Sequence, residues 1–227
     1  MVSEKIKEKI SIICFVGFLQ FIVLTFIAFF FYTGGTVWDP TSPGYSFFYN
    51  FFSDLGMIYS YSGAPNTIAA VIFFIAIMVF GLSTIILFII FPFTFIEDLK
   101  LKIVSIIGSV FGVLCGIMSI GVAFTPGDIL PNEHNIFAAY FYLFAFFAAV
   151  IYSLAFLLSK EYSNINALVW LIFGVTDFIY CSWILANMVV TGPEILFGQA
   201  GGQKLMIYLW VISYILTSYN MWKLSKR

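Results

Sequence analysis

The sequence predicts an all-α, polytopic membrane protein with six transmembrane helices and both termini in the cytoplasm. Hydrophobic residues make up 62% of the 227 residues, charged residues make up only 9%, and the mean hydropathy is +1.05. A water-soluble domain of this size needs far more polar surface than such a composition supplies. Six long apolar runs and an uneven distribution of lysines are the other observations that support this prediction.

Six apolar runs are each long enough to cross a bilayer core of about 30 Å, which takes about 20 helical residues. The first run lacks a small-residue cleavage site, so it is predicted to be a retained span. Polar, glycine- or proline-containing segments end the first five runs, namely "TGGTVWDPTSPG", "PFTFIEDLKLK", "TPGDILPNEHN", "SKEYSN" and "TGPEILFGQAGGQ". The predicted spans of this single domain, residues 1–227, are about 11–32, 66–91, 103–124, 136–158, 165–190 and 205–222.

The basic residues predict the orientation of these spans. On this map, only Lys204 lies on one side of the membrane. The other side holds Lys5, Lys7, Lys9, Lys100, Lys102, Lys160, Lys223, Lys226 and Arg227. Because positive residues concentrate on the cytoplasmic side, both termini are predicted to be cytoplasmic in a cell membrane. Residues 33–65, 125–135 and 192–204 then face outside.

Small residues predict which helix faces pack closely. The third run carries Gly108, Gly112 and Gly116 at four-residue spacing, which lets another helix approach. The fourth run carries a stripe of alanines that includes Ala138, and His134 lies one turn before it. We therefore expect His134 to face the bundle and not the lipid.

The stretch "GYSFFYNFFSDLGM", residues 44–57, places Asn50, Ser53 and Asp54 among aromatic residues. In a structural interpretation, Ser53 or Asp54 caps a short interfacial helix and Gly56 ends it or lets backbones approach. Asp54 and His134 then form an ion pair between two outer loops. In a catalytic interpretation, Asp54 orients His134 as a general base, and Ser53 or Ser60 is the nucleophile or a water is activated.

Charged groups on the predicted outer side are candidate ligands for a metal ion. Asp54, Asp128, Glu133 and His134 offer oxygen and imidazole ligands, and Asn50, Asp128 and Glu133 are candidate binding residues. A catalytic zinc site usually has three protein ligands, often several histidines, whereas this chain has one histidine. We predict no metal and no cofactor. The net charge of −1 and the lack of a large basic patch predict no nucleic-acid partner.

Asp177 lies about eleven residues from either end of the fifth run, near the bilayer midplane. An ionisable group at that depth is a candidate functional residue, for binding a polar substrate or relaying protons. It is also a candidate for an interhelical hydrogen bond that only fixes packing. We expect Asp177 to face the bundle interior, within reach of the sixth span or the glycine face of the third.

Two segments resemble a known family. "NFFSDLG" (50–56) and "GVAFTPGDILPNEHNIFA" (121–138) are similar to motifs of a family of six-helix prokaryotic membrane proteins defined by a domain of unknown function. The matching positions are Asn50, Ser53, Asp54, Gly56, Pro126, Asp128 and His134. The layout also resembles, more distantly, the eukaryotic Frag/DRAM/Sfk superfamily. That second resemblance implies a connection with membrane lipids, without naming a reaction.

These observations together predict a membrane protein that binds or responds to lipid headgroups at its outer face. Membrane lipids are the predicted partners. The alternatives are an interfacial hydrolase or lipid transferase that uses Asp54 and His134, and a small proton-linked transporter centred on Asp177.

Overall fold

The computed structural model describes residues 2–95, 99–187 and 192–226, and six α-helices make up most of it. A 3₁₀ helix, Phe52–Gly56, lies between the first two of them and is called the loop helix below. A second 3₁₀ turn, Phe91–Thr94, continues the second α-helix. The α-helices are α1 (Glu4–Phe31), α2 (Thr67–Ile90), α3 (Leu99–Phe124), α4 (Pro131–Leu158), α5 (Asn164–Ala186) and α6 (Pro193–Leu224).

Five of these helices are long and apolar enough to cross a membrane. They are α1 to α5, with the second candidate span running on through the 3₁₀ turn to Thr94. Helix α6 is the longest, but polar residues such as Gln199, Gln203 and Lys204 make it less apolar. The all-α prediction is therefore confirmed, and the five candidate spans support a multi-pass membrane protein.

Five of the six helices begin earlier than the hydropathy pattern predicted, and two of these begin at a proline. Helix α4 begins at Pro131 instead of residue 136, and α6 begins at Pro193 instead of residue 205. Proline suits the first helical position because its φ is preset and its missing N–H is not needed there. The prediction that 192–204 is a loop is therefore wrong, since nearly all of it is helical. The predicted end of the fifth span, residues 188–190, lies outside the described residues.

The helices pack in a closed ring, in which each helix contacts its neighbours in sequence and α6 packs back against α1. Aromatic side chains fill the centre of the ring. The ring of Tyr214, fully buried on α6, lies against Phe18 of α1, Phe88 of α2 and Trp170 of α5. This core joins helices that are distant in sequence.

The glycine face of α3 packs closely, as the spacing predicted. A Cβ atom on Gly116 would come within 2.8 Å of the Gly81 carbonyl oxygen of α2, and one on Gly108 within 2.9 Å of the Tyr152 ring of α4. Side chains at these positions would push the helices apart. The prediction that His134 faces the bundle is also confirmed, because His134 is buried.

Two side-chain contacts show which connections lie at the same end of the bundle. Lys226 forms an ion pair with Glu8, which brings both terminal regions to one end. Tyr162, between α4 and α5, donates a hydrogen bond of 2.9 Å to Thr94, which places those connections at a shared end. We call the end with the chain termini the terminal end. The opposite end, with the loop helix and the α3–α4 connection, is the loop end.

Candidate functional site

Asn50 organises the polar cluster of the long α1–α2 connection. Its side chain is fully buried and its Nδ2 donates hydrogen bonds to the Gly35 carbonyl (3.0 Å) and to Asp54 Oδ2 (3.1 Å). Its Oδ1 accepts a hydrogen bond from the Ser46 backbone N–H (2.9 Å). The cluster therefore holds together three parts of one connection.

Asp54 caps the loop helix. Its Oδ2 accepts a hydrogen bond of 2.9 Å from the Phe51 backbone N–H, and its side chain is buried. Burial raises the pKa of Asp54 from its ordinary 3.8 to about 6, because a carboxylate out of water loses solvation. The hydrogen bonds from Asn50 and Phe51 and the charge of Lys204 lower this pKa, but less than burial raises it.

Gly56, at the end of the loop helix, allows a close approach to α2. A Cβ atom there would lie 2.8 Å from the Phe73 ring. The short capped helix and the close approach of Gly56 both match the structural interpretation of this motif.

Lys204 is placed differently from the prediction. It was expected in an exposed outer loop, but it lies on α6 and is fully buried. Its Nζ donates hydrogen bonds to the backbone carbonyls of Asn50 and Ala200, the second at 3.0 Å. The rings of Tyr45, Phe47 and Phe52 lie 5.2–5.5 Å from the same nitrogen. Carbonyl dipoles and cation–π contacts thus offset part of the hydration that this ammonium group loses on burial.

The expected ion pair between Asp54 and His134 does not occur in the described part of the chain, where both ion pairs involve other residues. The reason is that each side chain is held by its own neighbours. Asp54 is held by Asn50 and Phe51, whereas His134 Nδ1 lies 2.6 Å from the Thr125 carbonyl oxygen. A catalytic pair built on Asp54 and His134 therefore has no support in this geometry.

The loops are joined instead by Asp128. Its two carboxylate oxygens accept hydrogen bonds from the backbone N–H groups of Ile58 (3.0 Å) and Tyr59 (2.8 Å), just after the loop helix. Gln203 makes the matching connection to α6 and α4, by accepting from the Phe52 N–H (2.7 Å) and donating to the Tyr142 hydroxyl (3.0 Å). Glu133, also a candidate binding residue, is exposed at the start of α4.

A cleft of about 220 Å³ lies at the loop end. Its walls are apolar, and α2 and α3 supply Ala70, Val71, Phe73, Phe74, Val122 and Ala123. The Val71 and Phe74 side chains are 53% and 36% exposed, so the cleft reaches the outer, apolar surface of α2. The cleft therefore opens sideways from the bundle, on a face that a membrane-spanning helix presents to lipid.

Ser53, Thr125 and His134 are the polar residues that line this cleft, and Ser53 and His134 have a further role. Both also line an adjoining cavity of about 40 Å³ that extends toward Tyr142 and Trp210 in the bundle. Because the Thr125 carbonyl can only accept, His134 must carry its proton on Nδ1 when neutral, which leaves Nε2 as an acceptor. Within the described residues, neither Nε2 nor the Ser53 hydroxyl has a hydrogen-bond partner.

Asp177 is fully buried, as predicted, but within the described residues it makes no hydrogen bond to α6 or α3. Thr217 of α6 accepts from Trp170, and Asn220 donates to Asn166. The Asp177 carboxyl instead accepts a weak hydrogen bond of 3.7 Å from Cys181 on its own helix. Its second oxygen is buried without a hydrogen bond to any described residue.

Among the residues that the structure describes, no three histidine, cysteine, aspartate or glutamate side chains are grouped to hold a metal ion. Comparison with protein-family models, with curated proteins and with solved structures gave no match to this chain. The function therefore has to be argued from the geometry of the loop end.

Lys204, Gln203 and Thr125 belong to this region but were not predicted from the sequence to do so. Lys204 had a visible signal, because it was the one basic residue on the wrong side of the charge map. A lysine that is the one exception to the charge distribution is a candidate for burial. The roles of Gln203 and Thr125 depend on contacts with distant segments, and no local pattern marks them.

Proposed function

We propose that this chain is a multi-pass cell-membrane protein that binds a membrane lipid in the cleft between the loop helix, α2, α3 and the start of α4. The observation that carries the proposal is the shape and lining of that cleft. Its apolar walls include the exposed residues Val71 and Phe74 of α2, and Ser53 and His134 line both the cleft and the cavity that adjoins it. An apolar pocket with a few convergent polar groups is the usual form of a small-molecule binding site.

The dimensions and depth support a lipid as the occupant. An apolar cavity of about 150 Å³ is large enough for benzene, so a cleft of about 220 Å³ has room for part of an acyl chain or a small headgroup. Val71 and Phe74 lie about 6–10 Å along α2 from its first residue, at 1.5 Å per residue. In a helix that spans the bilayer, this is the boundary between headgroups and acyl chains.

The proposal includes six spans with cytoplasmic termini. Helix α6 is long enough to cross a bilayer and packs between α5 and α1 in the ring. The terminal end carries most of the basic residues, which supports its placement in the cytoplasm. The cleft then lies in the outer leaflet. The family resemblance remains a prediction that favours the same lipid connection.

A photo-crosslinkable lipid tests the proposal. We expect a fatty alcohol carrying a diazirine to label peptides containing residues 70–74 and 122–126 in membranes. Ala123→Trp should reduce this labelling several-fold, because the indole occupies the cleft. Ala139→Trp is the matched control, since Ala139 is exposed on α4 and does not line the cleft. Equal labelling of the two variants and the wild type in the cleft peptides would refute lipid binding at this site.

Proton-linked transport is a second candidate, favoured by the unpartnered oxygen of Asp177. A polar connection leads toward it from the loop end. The loop helix contacts Gln203, Gln203 contacts the Tyr142 hydroxyl, and Tyr142 lies within electrostatic range of Asp177. A buried carboxyl at membrane depth at the end of such a connection is a candidate proton carrier.

Substitution of Asp177 separates transport from packing. Asparagine keeps the shape and one donor but cannot titrate, so in a proton carrier Asp177→Asn folds normally and loses proton flux. The measurement is internal pH in dye-loaded proteoliposomes under an imposed gradient. If Asp177 has only a structural role, Asp177→Asn changes nothing, and Asp177→Leu changes the free energy of unfolding by no more than about 1 kcal/mol, because only the weak hydrogen bond to Cys181 is lost. Proton flux equal to that of empty liposomes would exclude this candidate.

A further inference from the structure

We propose that the cleft selects an uncharged lipid whose head carries a hydrogen-bond donor, either a hydroxyl or an amide N–H. This inference rests on the proposed function, because it specifies the lipid that the same cleft would bind. It is derived from the hydrogen-bonding capacity of Ser53 and His134 and from the charge of the groups that line the cleft.

His134 sets the requirement for a donor. Its Nδ1–H is used by the Thr125 carbonyl at 2.6 Å, so the neutral ring offers only the lone pair of Nε2 to the cleft. A carbonyl, an ether or an ester oxygen of a lipid cannot donate to it. An occupant that covers Nε2 without donating to it buries an acceptor with no partner, which costs free energy, so an occupant with a donor is favoured over the same occupant without one.

Ser53 makes a hydroxyl the best match. Its own hydroxyl both donates and accepts, and it lines the cleft and the adjoining cavity together with His134. An alcohol head group has the same double capacity, and an amide has one N–H and one carbonyl. Both head groups are uncharged, and both can form hydrogen bonds with Ser53 and His134.

The lining excludes charged head groups. None of the described residues that line the cleft is a lysine, arginine, aspartate or glutamate. Lys204, the buried lysine of α6, does not line the cleft, and its Nζ is held by two carbonyls and three aromatic rings. Asp54 is likewise held by Asn50 and Phe51. A phosphate or an ammonium group in the cleft would be desolvated without a counter-charge, which is strongly unfavourable.

Three ligands that share one chain test this selectivity. Oleyl alcohol, oleyl methyl ether and oleyl phosphate compete with the diazirine fatty alcohol for labelling of the purified protein in nanodiscs. We expect the alcohol to compete about tenfold better than the ether, the usual effect of one buried hydrogen bond, and better than the phosphate. In His134→Phe, which keeps a ring but has no acceptor, the advantage of the alcohol over the ether should disappear.

Controls separate the possible failures. Ser53→Ala should reduce the alcohol's advantage in part and guards against misfolding of His134→Phe, while Ala139→Trp should leave the advantage unchanged. An ether that competes as well as the alcohol, or a phosphate that competes better, overturns this inference and leaves the proposed function standing. If a water molecule is the partner of Nε2, the ether competes as well as the alcohol. The proposed function itself fails if the cleft peptides are not labelled, or if Ala123→Trp leaves their labelling unchanged.

Discussion

Asp54 shows at the scale of one residue how burial changes a side chain's chemistry. The motif that contains it has two interpretations, as a helix cap, which the sequence favours, or as part of a catalytic pair. In the structure the carboxyl caps the loop helix and is enclosed by Asn50, the Phe51 backbone and, more distantly, Lys204. His134, the other half of the expected pair, is held by Thr125. The polar cluster of Asn50 and Asp54 therefore stabilises the fold. The hydroxyl that is free to bind a ligand belongs to Ser53, which is next to Asp54 in the loop helix.

The raised pKa of Asp54 predicts a pH dependence of stability. The folded state holds the proton more tightly than the unfolded chain, because the pKa is about 6 in the fold and 3.8 ordinarily. The resulting stabilisation is complete below about pH 4 and is lost as the pH rises through 6. The full difference is about 3 kcal/mol, of which about 1 kcal/mol falls between pH 5 and pH 7.5.

Thermal unfolding in detergent at pH 5 and pH 7.5 measures this effect, with Asp54→Asn as the reference. The wild type should lose stability relative to Asp54→Asn over this interval. The tyrosines that interact with Asp54 (Tyr32, Tyr45 and Tyr61) have raised pKa values and do not titrate there. Lys204 also interacts with Asp54, so the comparison is repeated in a Lys204→Met background. A wild type that gains stability relative to the variant as the pH rises would show that the carboxyl is stabilised as the anion.

At the scale of elements, the loop helix is fastened to three helices by few polar contacts. Gln203 joins it to α6 and α4, and Asn66, which precedes α2, donates hydrogen bonds of 3.0 Å to the carbonyls of Leu55 and Met57. Asp128 fastens the segment after it to the α3–α4 connection. Since Ser53 belongs to the loop helix and His134 to α4, these contacts position the two side chains proposed to bind the lipid head group.

Removal of the Asp128 carboxylate should loosen this element. We expect Asp128→Ala to lower the free energy of unfolding by about 1–2 kcal/mol, because two hydrogen bonds to a charged acceptor are lost at a partly exposed position. Amide hydrogen exchange at Ile58 and Tyr59 should accelerate. Glu133→Ala, which removes an exposed carboxylate nearby, serves as the control. Unchanged exchange at both amides in Asp128→Ala would contradict this role.

At the scale of the whole molecule, one end of the bundle is basic and the other holds the cleft. The ring of helices is closed by the contact of α6 with α1, and the ion pair between Lys226 and Glu8 lies at the basic end. Placement of the basic end in the cytoplasm puts the cleft in the outer leaflet. The side from which a lipid enters depends on this orientation.

Cysteine labelling tests the orientation. Pro43 is exposed in the α1–α2 connection, and Ser225 follows α6 at the terminal end. Single cysteines at these two positions, in a background with Cys14, Cys115 and Cys181 replaced by alanine, should label oppositely with an impermeant maleimide. Intact cells should label Pro43→Cys, and only permeabilised cells should label Ser225→Cys. Labelling of both in intact cells would refute the proposed topology.

The sequence by itself determined the membrane class, the helical architecture and the inward faces of α3 and α4. These properties follow from hydropathy and from the helical repeat, which act locally along the chain. The capped helix at Asp54 and the burial of Asp177 were predictable for the same reason. Even the early starts of α4 and α6 carried a local signal, since a proline opens each helix.

Only the tertiary structure decided which polar groups meet. Lys204 is buried because three aromatic rings and the Asn50 carbonyl, far away in the sequence, surround it. Ser53 and His134, and not Asp54 and His134, share the cleft because Asn50 and Thr125 hold Asp54 and His134 in separate places. Hydrogen bonds between distant segments depend on side-chain directions that no local pattern encodes. The candidate site is therefore a property of the packed bundle.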